Sequence, residues 1–295
     1  MGLFFSSDRF TRPGPGVRPD APRKKGVARL AEIMGRDMWN FFRAGFLAFL
    51  GCLPFIIGMF FAVETHALLF MLLAGIIGGL IAGPELSAMA DTVLRSLRDE
   101  PGYWWETYRR VWKRNARESL VPGMLTGLVL SIQIFTLFHM SVISAGIVTW
   151  ALLILSFMVT LGMESYIWPQ IALLDLPLYG ILKNSLLLFL GYLPRSLGAI
   201  AIKAVYWGAI LLFFPLTTII LPFTNFWLPM LPALLCIYQP LNKCFTIEST
   251  INKMREDDLN AALAKDNEPL PEEPAAEAEE TSEEPASDDS SSDAQ

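Results

Sequence analysis

The sequence predicts an all-α fold: a polytopic membrane helical bundle of about six transmembrane helices, arranged as three hairpin pseudo-repeats with interfacial amphipathic helices. Three observations carry this expectation. Of the 295 residues, 53% are hydrophobic and only 18% are charged, against roughly 25% charged in an ordinary soluble domain. Apolar runs close to the roughly 20 residues that cross a 30 Å hydrocarbon layer recur along the chain. Lysine and arginine gather only in alternate connections between those runs. Such a composition fits neither a disordered chain nor a nucleic-acid-binding one.

The charge is unevenly divided. Residues 256–295 hold 15 of the 29 acids and a single base, Lys265, for a net charge of −14, whereas residues 1–255 carry 22 bases and 14 acids, for +8. The acidic isoelectric point therefore describes the tail, and the body is basic. Residues 1–26 set Pro13, Pro15, Pro19 and Pro22 among glycines and arginines. That composition buries too little apolar surface to offset the entropy of ordering it, so a flexible cytoplasmic arm is expected. The acidic tail, with Glu-Glu-Pro at 272–274 and 283–285, is expected to stay disordered beyond the helical end of the bundle, within residues 251–295.

Between these ends, residues 27–250 form the expected transmembrane domain. Its clear apolar runs are Trp39 to Val63, Ala67 to Ala90, Leu120 to Met140 and Val142 to Met163, followed by Leu197 to Leu216 and Trp227 to Cys244. Pro215, Pro222 and Pro229 break the chain between the last two. Eight cations precede Trp39 and seven lie from Arg95 to Arg117, but connections one, three and five have none. Positive residues stay inside, so both termini are expected on the cytoplasmic side. An internal echo, Phe49-Leu50-Gly51-Cys52-Leu53-Pro54 against Phe189-Leu190-Gly191-Tyr192-Leu193-Pro194, suggests a repeat of about 70 residues, one hairpin per unit.

Span two carries Gly75, Gly79 and Gly83 at four-residue spacing, a face on which two backbones can approach closely in lipid, and Gly123 and Gly127 in span three are the expected partners. Charges in the bilayer need a partner or a function. Glu85 and Glu164 fall at the inner ends of spans two and four, and Lys203 lies deeper, in span five, so an intramembrane polar site of Glu85, Glu164 and Lys203 is a candidate. Arg43 lies one turn from the inner boundary and can snorkel. The stretch containing Trp104, Trp105, Arg109, Arg110, Trp112, Lys113 and Arg114 mixes headgroup-level rings with cations. It is expected to be a helix lying in the inner interface against anionic headgroups, or docking a partner. A second such helix is expected over residues 177–193.

Signatures of chemistry are missing. GxxxxGK[ST], HExxH and GxSxG do not occur, and Cys52, Cys236 and Cys244 with His66 and His139 make no metal-ligand spacing. The expectation is a protein without enzymatic activity, cofactor or metal, and without a nucleic-acid partner.

Several of these features, taken in order, resemble the YesL-type family of bacterial integral membrane proteins, a domain of unknown function. They are the Met-Gly-x-Phe-Phe start at Met1 to Phe5, Cys52-x-Pro54 and Gly58, Gly83-Pro84 with the Asp91 to Glu100 helix, Trp104 to Arg117, and Tyr166 to Pro169 leading to Leu182-Lys183-Asn184-Ser185. The resemblance covers about residues 1–250; the Pro/Arg-rich insertion before Gly26 and the acidic tail depart from it. It implies a bacterial inner-membrane location and an accessory role in carbohydrate uptake, beside a carbohydrate permease or its ATPase. A small-solute transporter built around the three intramembrane charges is the alternative.

Overall fold

The computed structural model describes residues 23–100, 102–140, 142 and 146–266, and among them there is no strand. Helix α1, Gly26–Thr65, is 40 residues long. It begins well before Trp39 because its first turns are amphipathic: Ile33 is fully buried, and Arg29 is buried against the next connection. It stops at His66, which adopts a left-handed conformation (φ 54°) and donates its backbone N–H back into the last turn. Helix α2, Leu68–Leu97, returns alongside it and loosens into one π-helical turn at Ala74–Gly78. Helix α3 is Trp104–Phe138, and α4 is Ile147–Leu173. The 14-residue α5, Leu178–Gly191, leads to α6, Leu193–Leu212, with Pro194 in its first turn. A short α7, Thr217–Thr224, turns the chain into α8, Trp227–Phe245. Residues 249–295 form a unit of their own, whose described part belongs to helix α9, Ile247–Asp266.

Five helices, α1, α2, α3, α4 and α6, are long and apolar enough to cross a membrane. The chain is thus an all-α, multi-pass membrane protein. The sixth expected span, α8, does not reach that standard: it contains Pro232 and Pro240 and carries Gln239, Asn242 and Lys243 in its last turns. Two further expectations change. Trp104 to Arg117 is not a separate interfacial helix but the start of the continuous α3, which runs through Pro122 without a break. The two copies of the Phe-Leu-Gly-x-Leu-Pro echo fold differently, one inside α1 and the other across the α5–α6 break at Tyr192. Of the expected arm, residues 23–26 are described, and Arg23 pairs with Asp99 and Glu248. The remainder of the arm and the acidic tail lie outside the described residues.

Candidate functional site

The glycine face of α2 meets the glycines of α3 as expected. A methyl carbon built on Gly127 would lie 2.5 Å from the Gly75 carbonyl oxygen and 2.8 Å from Gly79 Cα. On Gly79 it would collide with the Gly123 carbonyl, and on Gly83 with that of Ser119. Backbone meets backbone along the whole seam. The geometry gives these glycines an intramolecular role.

Two of the three intramembrane charges pair directly. Glu164 of α4 and Lys203 of α6 pair at 3.2 Å, with side chains only 17% and 8% exposed, and Trp168 Nε1 donates to the other carboxylate oxygen at 3.2 Å. Beside the pair is a void of roughly 10 Å3, lined by Ser165, Trp168, Met230, Ala233 and Leu234. That is room for about one water molecule. Glu85 has donors of its own: Tyr108 Oη at 2.5 Å and Trp112 Nε1 at 2.9 Å, both from α3. Gly51 of α1 makes space for it, since a methyl there would lie 2.6 Å from Glu85 Cγ. Each carboxylate has a cation or two aromatic donors, so neither is left as a free base.

The basic stretch divides into committed and uncommitted cations. Arg114 donates to the Ala172 carbonyl at 2.8 Å, neutralising part of the exposed C-terminal dipole of α4. Arg110 pairs with Glu106 one turn back, at 2.9 Å. Trp112 is spent on Glu85, and Trp104 stacks near Tyr108 with the Arg43 guanidinium 5.6 Å from its ring centroid. Arg109 and Lys113, with Arg117, remain exposed at four-residue spacing and have no carboxylate partner among the described residues. Trp105, 58% exposed, continues that face toward the helix start.

Two polar clusters have no counterpart in the sequence reading. At the basic end, Asp99 sits in a left-handed conformation (φ 60°) just past α2. It accepts hydrogen bonds from Arg29 at 2.6 Å and from Arg36, and pairs with Arg23 at 3.2 Å. The same arginines donate to the carbonyls of Leu97, Ser96 and Arg98, which end α2. Burial pushes the Asp99 carboxyl up, but the hydrogen bonds from Arg36 and Arg29 and the charges behind them outweigh it and hold the group below its ordinary value. Beside this cluster is a cleft of roughly 60 Å3 reached by Asp37, Thr92, Arg95, Glu100, Trp104 and Tyr108. The seven-residue spacing of Arg29 and Arg36 was the one available signal, since it puts both on one helix face.

At the other end, His66 Nδ1 and His139 Nε2 lie 2.7 Å apart. His139 Nδ1 faces the Phe135 carbonyl at 2.7 Å. A carbonyl only accepts, so His139 carries a proton on Nδ1; with both rings neutral, His66 Nδ1–H then donates to His139 Nε2. Comparison with protein-family models, with curated proteins and with solved structures finds no match to this chain.

Proposed function

We infer that this protein is a non-enzymatic component of a bacterial inner membrane that acts through its basic, aromatic end as an accessory of carbohydrate uptake. One contrast carries this reading. The charges within the apolar segments are satisfied, and the space beside Glu164 and Lys203 holds about one water. At the basic end, Arg109, Lys113 and Arg117 stand exposed and have no carboxylate partner among the described residues. A solute path needs a wet cavity at its charges, whereas a docking surface needs uncommitted ones. The positive-inside rule puts that basic surface on the cytoplasmic side, where a carbohydrate permease or its ATPase, together with anionic headgroups, would meet it. The resemblance to YesL-type proteins supplies the carbohydrate context.

The test is purification in mild detergent from its own cells. Co-recovery of a permease or transport ATPase, lost on Arg109→Gln with Lys113→Gln and Arg117→Gln, supports the accessory role. A solitary protein that moves labelled sugar into vesicles overturns it and establishes the transporter alternative.

A further inference from the structure

The hairpin α6–α7–α8 carries the second, less expected feature of the molecule: it does not reach the end where the other hairpins turn. Its tip is anchored on α1 at Phe42 and Gly45. The Phe42 and Phe223 rings stack with centroids 5.9 Å apart, as do Phe41 and Trp227. A methyl on Gly45 would lie 2.5 Å from Trp227 Cδ1 and would also strike the Asn225 side chain. Beyond Gly45, α1 continues for 20 residues to Thr65. At 1.5 Å per residue that is about 30 Å, the whole thickness of a hydrocarbon layer.

Along those 20 residues the close neighbours come from α2 and α3. Phe55 meets Gly78, Gly58 meets Ala74, and Met59 and Ala62 pack with Met71, Ile134 and Phe135 before the histidine contact closes the end. The base of the hairpin lies at the opposite end. Tyr192 Oη touches Cys244 Sγ at 3.5 Å, and Tyr238 donates to Glu248, the partner of Arg23 in the arginine cluster. Against α4 the hairpin lies crosswise. Ser196 meets Tyr166 and Lys203 meets Glu164, so seven residues of α6, about 10 Å of helix, pass only two residues of α4.

Two sets of turns offset by about 30 Å along one helix cannot both face the far aqueous phase of a 30 Å bilayer. The tip is nonetheless apolar and open: Leu212, Phe213, Phe214, Leu216, Ile219 and Phe223 are each at least 58% exposed. Water is the wrong solvent for such a surface. Its polar backbone is also provided for, as lipid demands. Thr217 Oγ1 donates to the Ile210 carbonyl at 2.7 Å, Trp227 Nε1 to that of Phe223 at 2.8 Å and Asn225 Nδ2 to that of Pro222 at 3.0 Å. Pro215 and Pro222 have no N–H to leave unpaired.

We propose that α6–α7–α8 is a re-entrant hairpin that inserts its apolar tip among the acyl chains of the leaflet at the basic end and returns to the same side. The chain then crosses the bilayer four times, through α1 to α4. The count stays even, so the position of the C-terminus does not distinguish four crossings from six. Lys203 and Glu164 then lie near the basic-side boundary rather than midway through a span.

Accessibility of single cysteines in the full chain decides the matter. In a background with Cys52, Cys236 and Cys244 replaced by serine or alanine, Glu64→Cys reports the far turn and Ile219→Cys the hairpin tip. An impermeant maleimide is applied to right-side-out and inverted membrane vesicles. Residue 64 is expected to label from one face, which also shows that the variant is inserted, and residue 219 from neither. A bimane attached at residue 219 in detergent and then reconstituted is expected to be quenched by lipids carrying a nitroxide on the acyl chain. Labelling of residue 219 from the face that labels residue 64 would mean six crossings. Labelling from the opposite face would put the tip in water, and absence of quenching would put it inside protein; any of these overturns the proposal.

Discussion

Replacing Gly79 by alanine is the sharpest probe of what holds α2 to α3. The added methyl would lie 2.9 Å from the Gly123 carbonyl carbon and 3.1 Å from Met124 Cα, besides striking the Gly123 oxygen. Carbon atoms rest about 3.5–4.0 Å apart, and the obstacles are backbone, so no side chain can swing away. The helices must separate by several tenths of an ångström, and close contacts are lost at Gly75–Gly127 and Gly83–Ser119 as well. In lipid no hydrophobic gain compensates, because the opened seam fills with hydrocarbon as apolar as the surface it left. Overpacking of this kind costs about 1–3 kcal/mol, while alanine returns up to about 1 kcal/mol of helix propensity. Propensity can be cancelled with Gly208→Ala, also inside a helix but with nothing within 4 Å of the new methyl. Gly79→Ala should therefore be less stable than Gly208→Ala by about 1–3 kcal/mol, read from reversible unfolding in mixed micelles titrated with dodecyl sulfate. A difference within about 0.5 kcal/mol, the range of innocuous surface changes, would refute the close-packed seam.

Other perturbations follow from the same contacts. Lys203→Met strands Glu164 with one indole donor and should cost about 3–5 kcal/mol, whereas adding Glu164→Gln should recover most of the loss; a double-mutant cycle in the same unfolding assay measures the coupling. Tyr108→Phe removes one of two donors to Glu85 and should cost about 1.5–3 kcal/mol, with a smaller effect once Glu85→Gln is present. Asp99 has a lowered pKa, so its stabilising contribution is complete above the unfolded value near 3.9 and disappears as the pH falls through the lower folded value. Thermal midpoints measured from about pH 5 downward should accordingly drop more for the wild type than for Asp99→Asn. Finally, Arg109→Gln, Lys113→Gln and Arg117→Gln together should weaken retention of phosphatidylglycerol by about 3 kcal/mol at low salt, at about 1 kcal/mol per cation. Added salt should erase most of the difference.

Composition and apolar run length were enough to read the helical, multi-pass character, because a span needs only length and hydropathy. Partnership was also readable where one physical rule dominated: small residues at four-residue spacing met small residues, and Lys203 found Glu164. What could not be read depends on geometry between distant segments. The charges of Trp104 to Arg117 mark an interface but do not say whether the helix stops there, and α3 continues through them. The apolarity of α6 licenses a crossing, but it says nothing of the contacts of α7 with Phe42 and of α6 with Glu164. The Asp99 cluster needed a left-handed residue after α2 to aim one carboxylate at three arginines, and no local pattern announces that turn. The histidine contact joins residues 73 positions apart, which only the α1-to-α3 packing brings together.

The buried polar residues, taken as a set, argue about function. Gln133 of α3 donates to Ser156 at 2.6 Å and Thr160 at 2.8 Å of α4, and Gln170 of α4 donates to Ser185 of α5 at 2.8 Å. Tyr166 of α4 meets Ser196 of α6 at 2.9 Å, Glu164 meets Lys203, and Glu85 of α2 takes its donors from α3. These links join neighbouring helices, at about one or two for each of those interfaces. Apolar packing in lipid leaves two helices free to slide and rotate, and a hydrogen bond between them fixes one register. Gln133 and Gln170 spend their amide nitrogens on these links, and the Oε1 of each stays buried without a hydrogen-bond partner among the described residues. These links account for how the helices are held in register, and Arg109, Lys113 and Arg117 stand outside them, exposed and without a carboxylate partner among the described residues.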